Sequence, residues 1–304
     1  MNILVSIILI NYNGYNDTID CISSLEKIKY NDYRIIIVDN CSTDNSIDKL
    51  NNYIDGNEKV ILIKNEENNG FAGGNNLGIK YAMELGTDYV LLLNNDTEVE
   101  ENFICELIKP FEEFDNVGIT TSKMMYYSEK NRIWFGGGHM DWLRFRGDHE
   151  NYKFIDDFSD NIREITFATG CCMLIKNEII ENIGLLPEEY FMYFEDVDYC
   201  LKVQENNYKI IYNPNSIIYH KVSSSSGGEE SQFYIEWATR NRLILLNKYK
   251  NKISKLQFYK SKVFIYISRI IKILQFIVTG NIKKAIAIVR GIRAARNFIL
   301  DSRA

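Results

Sequence analysis

The chain reads as an α/β protein, a mixed, mostly parallel sheet covered by helices and followed by a basic helical extension. Three observations predict this. Over roughly the first hundred of the 304 residues, short apolar runs alternate with segments of helical period, the pattern of parallel strands crossed over by helices. One of these runs, Tyr-Val-Leu-Leu-Leu at 89–93, stops abruptly in Asn94-Asn95-Asp96-Thr97, so a short buried strand delivers a carboxylate to its C-terminal end. The charge is also divided: from Lys248 onward fourteen Lys and Arg stand against the single acid Asp301, while the remainder carries 21 basic and 40 acidic residues.

Val5 to Ile10 and Arg34 to Val38 are apolar runs, and between them Ile19, Ile22 and Leu25 recur with helical spacing over Thr18 to Lys29. This is a strand–helix–strand opening. A helix over Asp44 to Tyr53 leads to a strand at Lys59 to Ile63; the glycine-rich Asn68 to Asn76 introduces a helix to about Leu85, and the strand Tyr89 to Leu93 follows. From Glu100 to Ile165 the pattern is less regular, with a helix near Phe103 to Phe114 and a glycine- and aromatic-rich loop from Trp134 to Arg146. Ile165 to Ile175 reads as a strand, Asp196 to Glu205 as a helix on Val197, Leu201 and Val203, and Ser216 to His220 as a short strand. Ser223 to Gly228 has the composition of a mobile loop, and from Phe233 the pattern is helical. The expected division is a sheet domain at 1–228, with halves at about 1–99 and 100–228, and a helical region at 229–304.

Composition narrows the classes. A hydrophobic content of 46% excludes a disordered chain. The six cysteines form no Cys-x-x-Cys pair and no zinc spacing, and the N-terminus lacks the basic segment and long apolar core of a secretory signal, so the expected compartment is the reducing cytoplasm. Val263 to Gly280 is apolar, but Arg269 and Lys272 fall in its middle, where each would cost about 2.5–3.5 kcal/mol in a bilayer. It is expected to lie on an anionic membrane surface, at the inner face of the cell membrane, or to pack as a basic hairpin on the acidic body; both readings stay open. The basic residues match no fold that reads grooves or single strands, so no nucleic-acid partner is expected.

Five features carry chemistry. Asp96, at a strand's carboxyl end, is a candidate metal or phosphate-side ligand. Asp39 ends the second strand in Val38-Asp39-Asn40-Cys41-Ser42-Thr43-Asp44 and could accept a hydrogen bond from the ring N–H of uracil, thymine or guanine; Asp44 reads as a helix N-cap. The cluster from Gly70 to Gly74 lets backbone pass close to a ligand, yet fits neither Gly-x-Gly-x-x-Gly nor a P-loop with its lysine. Glu195, Asp196 and Asp198 gather in the first turn of a helix, where Glu195 and Asp198 can serve as caps and leave Asp196 unassigned. Neighbouring helical residues point about 100° apart, so Asp196 can face a cleft, and the helix dipole would keep it ionised as a general base must be. His220 ends a strand; a lone histidine is ordinarily a satisfied polar residue, but beside Asp96 it makes a carboxylate–imidazole pair that suits Mn²⁺ or Mg²⁺, with diphosphate oxygens and water completing the shell.

Together these segments resemble the inverting glycosyltransferases of family 2, with their Rossmann-like GT-A fold, and most of all the bacterial rhamnosyltransferase-like branch. The matching residues are Ile10-Asn11-Tyr12-Asn13, Val38 to Asp44, Asn68 to Asn76, Leu93 to Asp96, Thr169-Gly170-Cys171-Cys172, Phe194 to Asp198, and Arg240-Asn241. They span about Ile3 to Arg242 in the family's order. The resemblance implies transfer of a sugar from a UDP- or dTDP-linked donor to a hydroxyl of a glycan, lipid-linked or protein acceptor, with inversion, in bacterial surface glycan or glycoconjugate assembly. Asn11, Tyr12 and Asp39 would hold the nucleobase; Gly70, Gly74 and Asn76 would border the diphosphate and ribose, with Asn94 and Asn95 beside them. Asp96 would ligate a Mn²⁺ or Mg²⁺ ion, with His220 as second ligand. Asp196 would deprotonate the acceptor with Glu195 next to it, and Gly170 and Asp198 would lie on the acceptor side.

One departure stands out. Where many members carry Asp-x-Asp, this chain has Asn94-Asn95-Asp96, leaving a single carboxylate for the metal. Metal affinity is therefore expected to depend on bound donor. Two competing readings are a sugar-nucleotide pyrophosphorylase, which after Ile10 would require a glycine-rich loop with Arg where the chain has Asn-Tyr-Asn-Gly-Tyr, and a non-catalytic nucleotide-sugar-binding or membrane scaffold protein.

Overall fold

The computed structural model describes residues 3–157, 159–222 and 231–302; the loop expected at Ser223 to Gly228 lies outside them. They form two compact units, one of residues 3–139, 148–157, 159–191 and 195–222, the other of 140–147, 192–194 and 231–302.

The first unit opens with β1 (Val5–Asn11), α1 (Tyr15–Leu25), β2 (Tyr33–Asp39), α2 (Ser46–Ile54), β3 (Val60–Lys64), α3 (Gly70–Glu84) and β4 (Tyr89–Leu93). The four strands lie in the order β3-β2-β1-β4 and every pairing is parallel. Helices cover both faces, so Ile7, Ile8, Leu9, Ile35 to Val38 and Val90 to Leu92 are all buried, which is why these strands are written as unbroken apolar runs. The glycine cluster, expected to precede a helix, is itself the first two turns of α3. Asp44 sits two residues before α2 and its carboxylate accepts the Ser46 N–H at 2.9 Å, so it caps from outside the N-cap position.

Then follow β5 (Thr97–Val99), α4 (Phe103–Glu113), β6 (Val117–Tyr126), β7 (Ile133–Phe135), β8 (Gly138–Asp141), β9 (Arg146–His149), β10 (Arg163–Ile165), β11 (Cys172–Lys176), α5 (Asn177–Ile183), α6 (Glu195–Glu205) and β12 (Lys209–His220). The full sheet order is β10-β12-β6-β11-β4-β1-β2-β3, with β5 on β12 and β7 on β6. It is mixed: β11 runs antiparallel to β4 and β6, whereas the longest pairings, β6 with β12 and β1 with β2, are parallel.

Three expectations change here. The irregular middle hides β6, a ten-residue buried strand whose polar side chains are satisfied inside: Thr120 Oγ1 donates to the Leu107 carbonyl and Thr121 Oγ1 to that of Cys172, both at 2.7 Å. The strand expected over Ile165 to Ile175 is two, β10 and β11, separated by a turn in which the Cys172 N–H donates to the Thr169 carbonyl. The short strand at Ser216 is the end of the twelve-residue β12, whose register slips between Asn213 and Ile217, around Pro214. A proline cannot donate to a ladder, so it survives only at such an irregularity and breaks the strand signal in the sequence.

The second unit contains α7 (Gln232–Lys248), α8 (Lys255–Val278) and α9 (Ile282–Asp301), packed through Ile235, Phe276, Ala285, Ala287 and Ile288. Ser231 and Ser254 cap α7 and α8, accepting the Tyr234 and Gln257 N–H groups at 3.1 Å. Among the described residues no helix is long and apolar enough to cross a membrane.

Within the first unit, Lys123 of β6 and Asp156 form an ion pair of 2.7 Å, each side chain only 2% exposed. Replacing one partner of such a pair by an apolar side chain takes from a buried charge its counterion at 2.7 Å. Lys123→Met should therefore destabilise the fold by about 3–5 kcal/mol in chemical denaturation, and Lys123→Met with Asp156→Leu should recover most of that loss.

Candidate active site

Asp39, Asn11 and Asp96 all sit at or just beyond the carboxyl ends of the parallel strands, the edge where open α/β sheets hold ligands. Beyond β4, the Asn94 N–H donates to the Cys171 carbonyl at 2.9 Å and the Thr97 hydroxyl closes back on the Asn94 carbonyl at 2.7 Å. The chain then re-enters the sheet as β5, whose Thr97 lies opposite His220 of β12. That antiparallel register joins residues far apart in sequence: His220 Nε2 stands 3.1 Å from Asp96 Oδ1, with both side chains nearly buried. The Lys221 N–H donates to the Asp96 carbonyl at 2.9 Å. Burial alone would raise the Asp96 carboxyl, but the charge and hydrogen bond of His220, with the nearby Lys221, outweigh it and hold the group below its ordinary value. Its contribution to stability is thus present above the ordinary carboxylate range and lost as pH falls through the lowered value.

His220 Nδ1 is buried and has no hydrogen-bond partner among the described residues, and the Trp134 ring meets the imidazole edge-on with centroids 4.4 Å apart. A carboxylate oxygen and an imidazole, with one ring nitrogen left unsatisfied, fit part of a Mn²⁺ or Mg²⁺ shell. No cluster of three or more potential protein ligands occurs among the described residues. An ion held here would take its remaining donors from substrate and water.

The acidic turn lies next to this strand tip. The Gly170 N–H donates to Asp196 Oδ2 at 3.1 Å and the Val197 N–H to Oδ1 at 2.8 Å. Capping was expected from Glu195 and Asp198, with Asp196 left over; instead Asp196 binds the backbone, Glu195 Oε2 is buried without a partner among the described residues, and Asp198, expected on the acceptor side, is fully buried. The reason is the Gly170 turn, which presents its N–H to Asp196. Burial pushes the Asp196 carboxyl up, against the pull of the Gly170 and Val197 N–H groups, and burial with the adjacent Asp196 pushes Glu195 well above its ordinary value. The helix N-terminus therefore does not by itself offset the burial of this pair.

The backbone entering the turn is strained. Phe191, Tyr193 and Phe194 have φ of 61°, 70° and 76°, a region that favours glycine, and such strain collects at functional sites. The Phe191 carbonyl accepts the Phe71 N–H at 2.7 Å, while Asn241 Nδ2 donates to the Met192 and Tyr193 carbonyls at 2.9 Å each. Gly70 is required for the first of these contacts: its φ is +69° and a Cβ there would lie 2.1 Å from the Phe191 carbonyl oxygen. At Gly170 a Cβ would come within 2.9 Å of the Phe71 ring. The glycine cluster, Gly170 and Asp196 are thus brought together.

On the nucleotide side, Asp39 is fully buried and its oxygens accept Asn11 Nδ2 at 2.7 Å, Ser42 Oγ at 2.6 Å and the Ser42 N–H at 3.0 Å. A carboxylate has about four acceptor positions, so one remains. Tyr12 beside it is exposed. Asn95 Nδ2 donates to Thr18 Oγ1 at 2.9 Å, Asn94 is half-buried, and Gly74 packs on Ile10. Asn76 is not at the site: its amide donates to the Leu186 carbonyl and Glu188 and accepts the Leu186 N–H, so it pins the 186–188 segment. Trp134 and Asn241 were not singled out by sequence reasoning; Trp134 has no spacing that ties it to His220, whereas Asn241 stood in a matching motif without a role.

The family model for Glycosyl transferase family 2 matches residues 6–184. The chain is 25% identical over 266 residues to the low-salt glycan biosynthesis hexosyltransferase Agl10 of Haloferax volcanii, covering 86% of this chain and 81% of that one. It is 24% identical over 234 residues to the dTDP-rhamnosyl transferase RfbF of Shigella flexneri, covering 74% and 72%. Its fold is like that of GalNAc-T7 crystallised with UDP, GalNAc and Mn²⁺, with a TM-score of 0.65 at 18% identity over 81% of this chain and 50% of that one. The family model covers more than half of the chain and the sheet has the GT-A architecture, so the chain belongs to the family 2 glycosyltransferases.

Proposed function

We propose that the chain moves a sugar from a UDP- or dTDP-linked donor to a hydroxyl of a glycan, lipid-linked or protein acceptor, with inversion at the sugar C1, in the assembly of bacterial surface glycans or glycoconjugates. One observation carries the reading: Asp196 is hydrogen-bonded to Gly170, and the next residue, Cys171, holds Asn94 at the strand tip that leads to Asp96. A base and a diphosphate-side carboxylate therefore flank one turn. The naming of relatives for dTDP-rhamnosyl transfer and of a fold relative for UDP supports the donor class.

In this mechanism Asp196 takes the acceptor's hydroxyl proton as the acceptor oxygen bonds to C1, while the bond from C1 to the diphosphate oxygen breaks and the nucleoside diphosphate departs. The Gly170 and Val197 N–H groups each occupy one position on the Asp196 oxygens, orienting the carboxylate and leaving others for the acceptor. Glu195, buried beside it, is pushed toward its neutral form by burial and by the neighbouring Asp196 charge. Asp39 offers its remaining acceptor position to the nucleobase N–H, with Asn11 holding it in place and Tyr12 exposed alongside. Asn94 stands at the ribose, and Asp96 and His220 would hold a Mn²⁺ or Mg²⁺ ion. When bound, such an ion would offset negative charge on the diphosphate.

Three outcomes test this. Asp196→Asn should lower kcat by about a hundred- to ten-thousand-fold while leaving donor binding, read as a thermal shift with UDP- and dTDP-sugars, unchanged; near-normal turnover would move the base to another residue. Because burial raises the Asp196 carboxyl, activity should fall with decreasing pH through a limb above the ordinary aspartate range. A limb at or below that range would place the base elsewhere. Calorimetry should find weak Mn²⁺ binding to the free protein that tightens when a nucleoside diphosphate is present, a gain lost in His220→Ala; micromolar Mn²⁺ binding without nucleotide would count against the shared shell.

A further inference from the structure

Helix α8 shows two unlike faces. Ile265 and Phe276 are buried, the latter in the core with α7 and α9, whereas Leu256, Tyr259, Val263, Ile267, Ile270 and Leu274 are 52–66% exposed. Their spacing of three or four residues places them on one side, and Ile277 and Val278 continue the row to the helix end. Over 24 residues that is a stripe of about 36 Å. An apolar patch of this size on an otherwise folded helix marks an interaction surface.

The charges choose the partner. From Lys255 to Leu300 there are ten Lys and Arg and not one Asp or Glu. Lys255, Lys260 and Lys262 are exposed along the stripe, and Lys283, Arg290, Arg293 and Arg296 are exposed on α9 together with Ile282, Ile286 and Val289. A second copy would bring the same cations against these, whereas a surface of acyl chains under anionic headgroups satisfies both the apolar row and its basic flanks, with long basic side chains reaching outward to phosphates. A small cleft of about 170 Å³ beside the stripe is lined by Leu243, Phe258, Tyr266 and Ile299 together with Lys262 and Arg296, the same combination of apolar walls and cations.

We propose that α8 lies in the plane of an anionic lipid bilayer, its Leu256–Val278 row immersed in the boundary between headgroups and acyl chains. This builds on the glycosyltransferase reading only in supplying a location for the enzyme. It is tested apart from catalysis, on the full chain, by co-sedimentation with vesicles of phosphatidylglycerol and phosphatidylcholine against vesicles of phosphatidylcholine alone. Binding should be at least about tenfold greater to the anionic vesicles and should weaken at about 1 M NaCl. Ile270→Glu with Leu274→Glu should reduce it by about tenfold or more with circular dichroism and sugar transfer to a soluble acceptor unchanged. If that variant does not fold, Lys255→Glu with Lys260→Glu, both exposed and outside the cleft lining, should show the same loss. Asp196→Asn should bind vesicles like the unsubstituted chain, so a failure of the catalytic assignment leaves this result readable. Equal binding to neutral and anionic vesicles, or none to either, would overturn the proposal. So would sedimentation velocity showing a dimer that Ile270→Glu with Leu274→Glu converts to monomer while vesicle binding persists.

Discussion

A single backbone hydrogen bond, from the Asn94 N–H to the Cys171 carbonyl, carries the β4–β11 contact one step past the last paired residues. It decides where the parts of the site meet. On one side of it the chain runs through Asn95 to Asp96; on the other lies Gly170, whose N–H reaches Asp196. Because β11 is antiparallel to β4, its beginning rather than its end arrives at the carboxyl edge of the parallel strands, and the Thr169–Cys171 turn is seated there. A parallel β11 would have delivered its other end, with Lys176, to that edge. The reversal of strand direction is thus what seats the Gly170 turn, and with it Asp196, at the carboxyl edge of the parallel strands.

The two carboxylate centres are tuned in opposite senses by the same burial. At Asp96 an imidazole and Lys221 more than compensate for lost water, and the charge persists. At Glu195 and Asp196 only backbone N–H groups oppose desolvation, and both carboxyls are pushed up. The opposite directions of the two shifts follow from what each carboxylate has beside it, a cation and an imidazole in one case and backbone N–H groups in the other.

The parallel half of the sheet was legible in the sequence because β1, β2 and β4 are buried on both faces and written as uninterrupted apolar runs. Much of the other half was not. β6 carries Thr120, Thr121, Ser122 and Lys123 inward, where hydroxyls and an ion pair satisfy them, so a buried strand looks polar. Pro214 cuts β12 in two at its irregularity. Asp39, Asp96, Asp196 and His220 were recognisable from their motifs, and the structure puts Asp39 and His220 at strand ends, Asp96 just beyond one, and Asp196 at a helix start. Asn76 looked equally functional, yet engages its amide with Leu186 and Glu188, and Asp198 is fully buried, because a motif records which residue is present and not which way it faces. Trp134 had no signal at all, being placed on His220 only by the pairing of β7 with β6 and of β6 with β12.

The pairing of Thr97 with His220 has a consequence for how such a chain can change length. Side chains alternate across a strand, so losing or gaining one residue between the Asn213 irregularity and His220 would turn the imidazole to the opposite face of the sheet. Two residues would keep the face but carry the ring about 7 Å along the strand, out of reach of Asp96. Neither event touches a residue with a chemical role. The number of residues between Pro214 and His220 is thus itself a constraint of the site, written as a count and invisible to any comparison that scores residue identity alone.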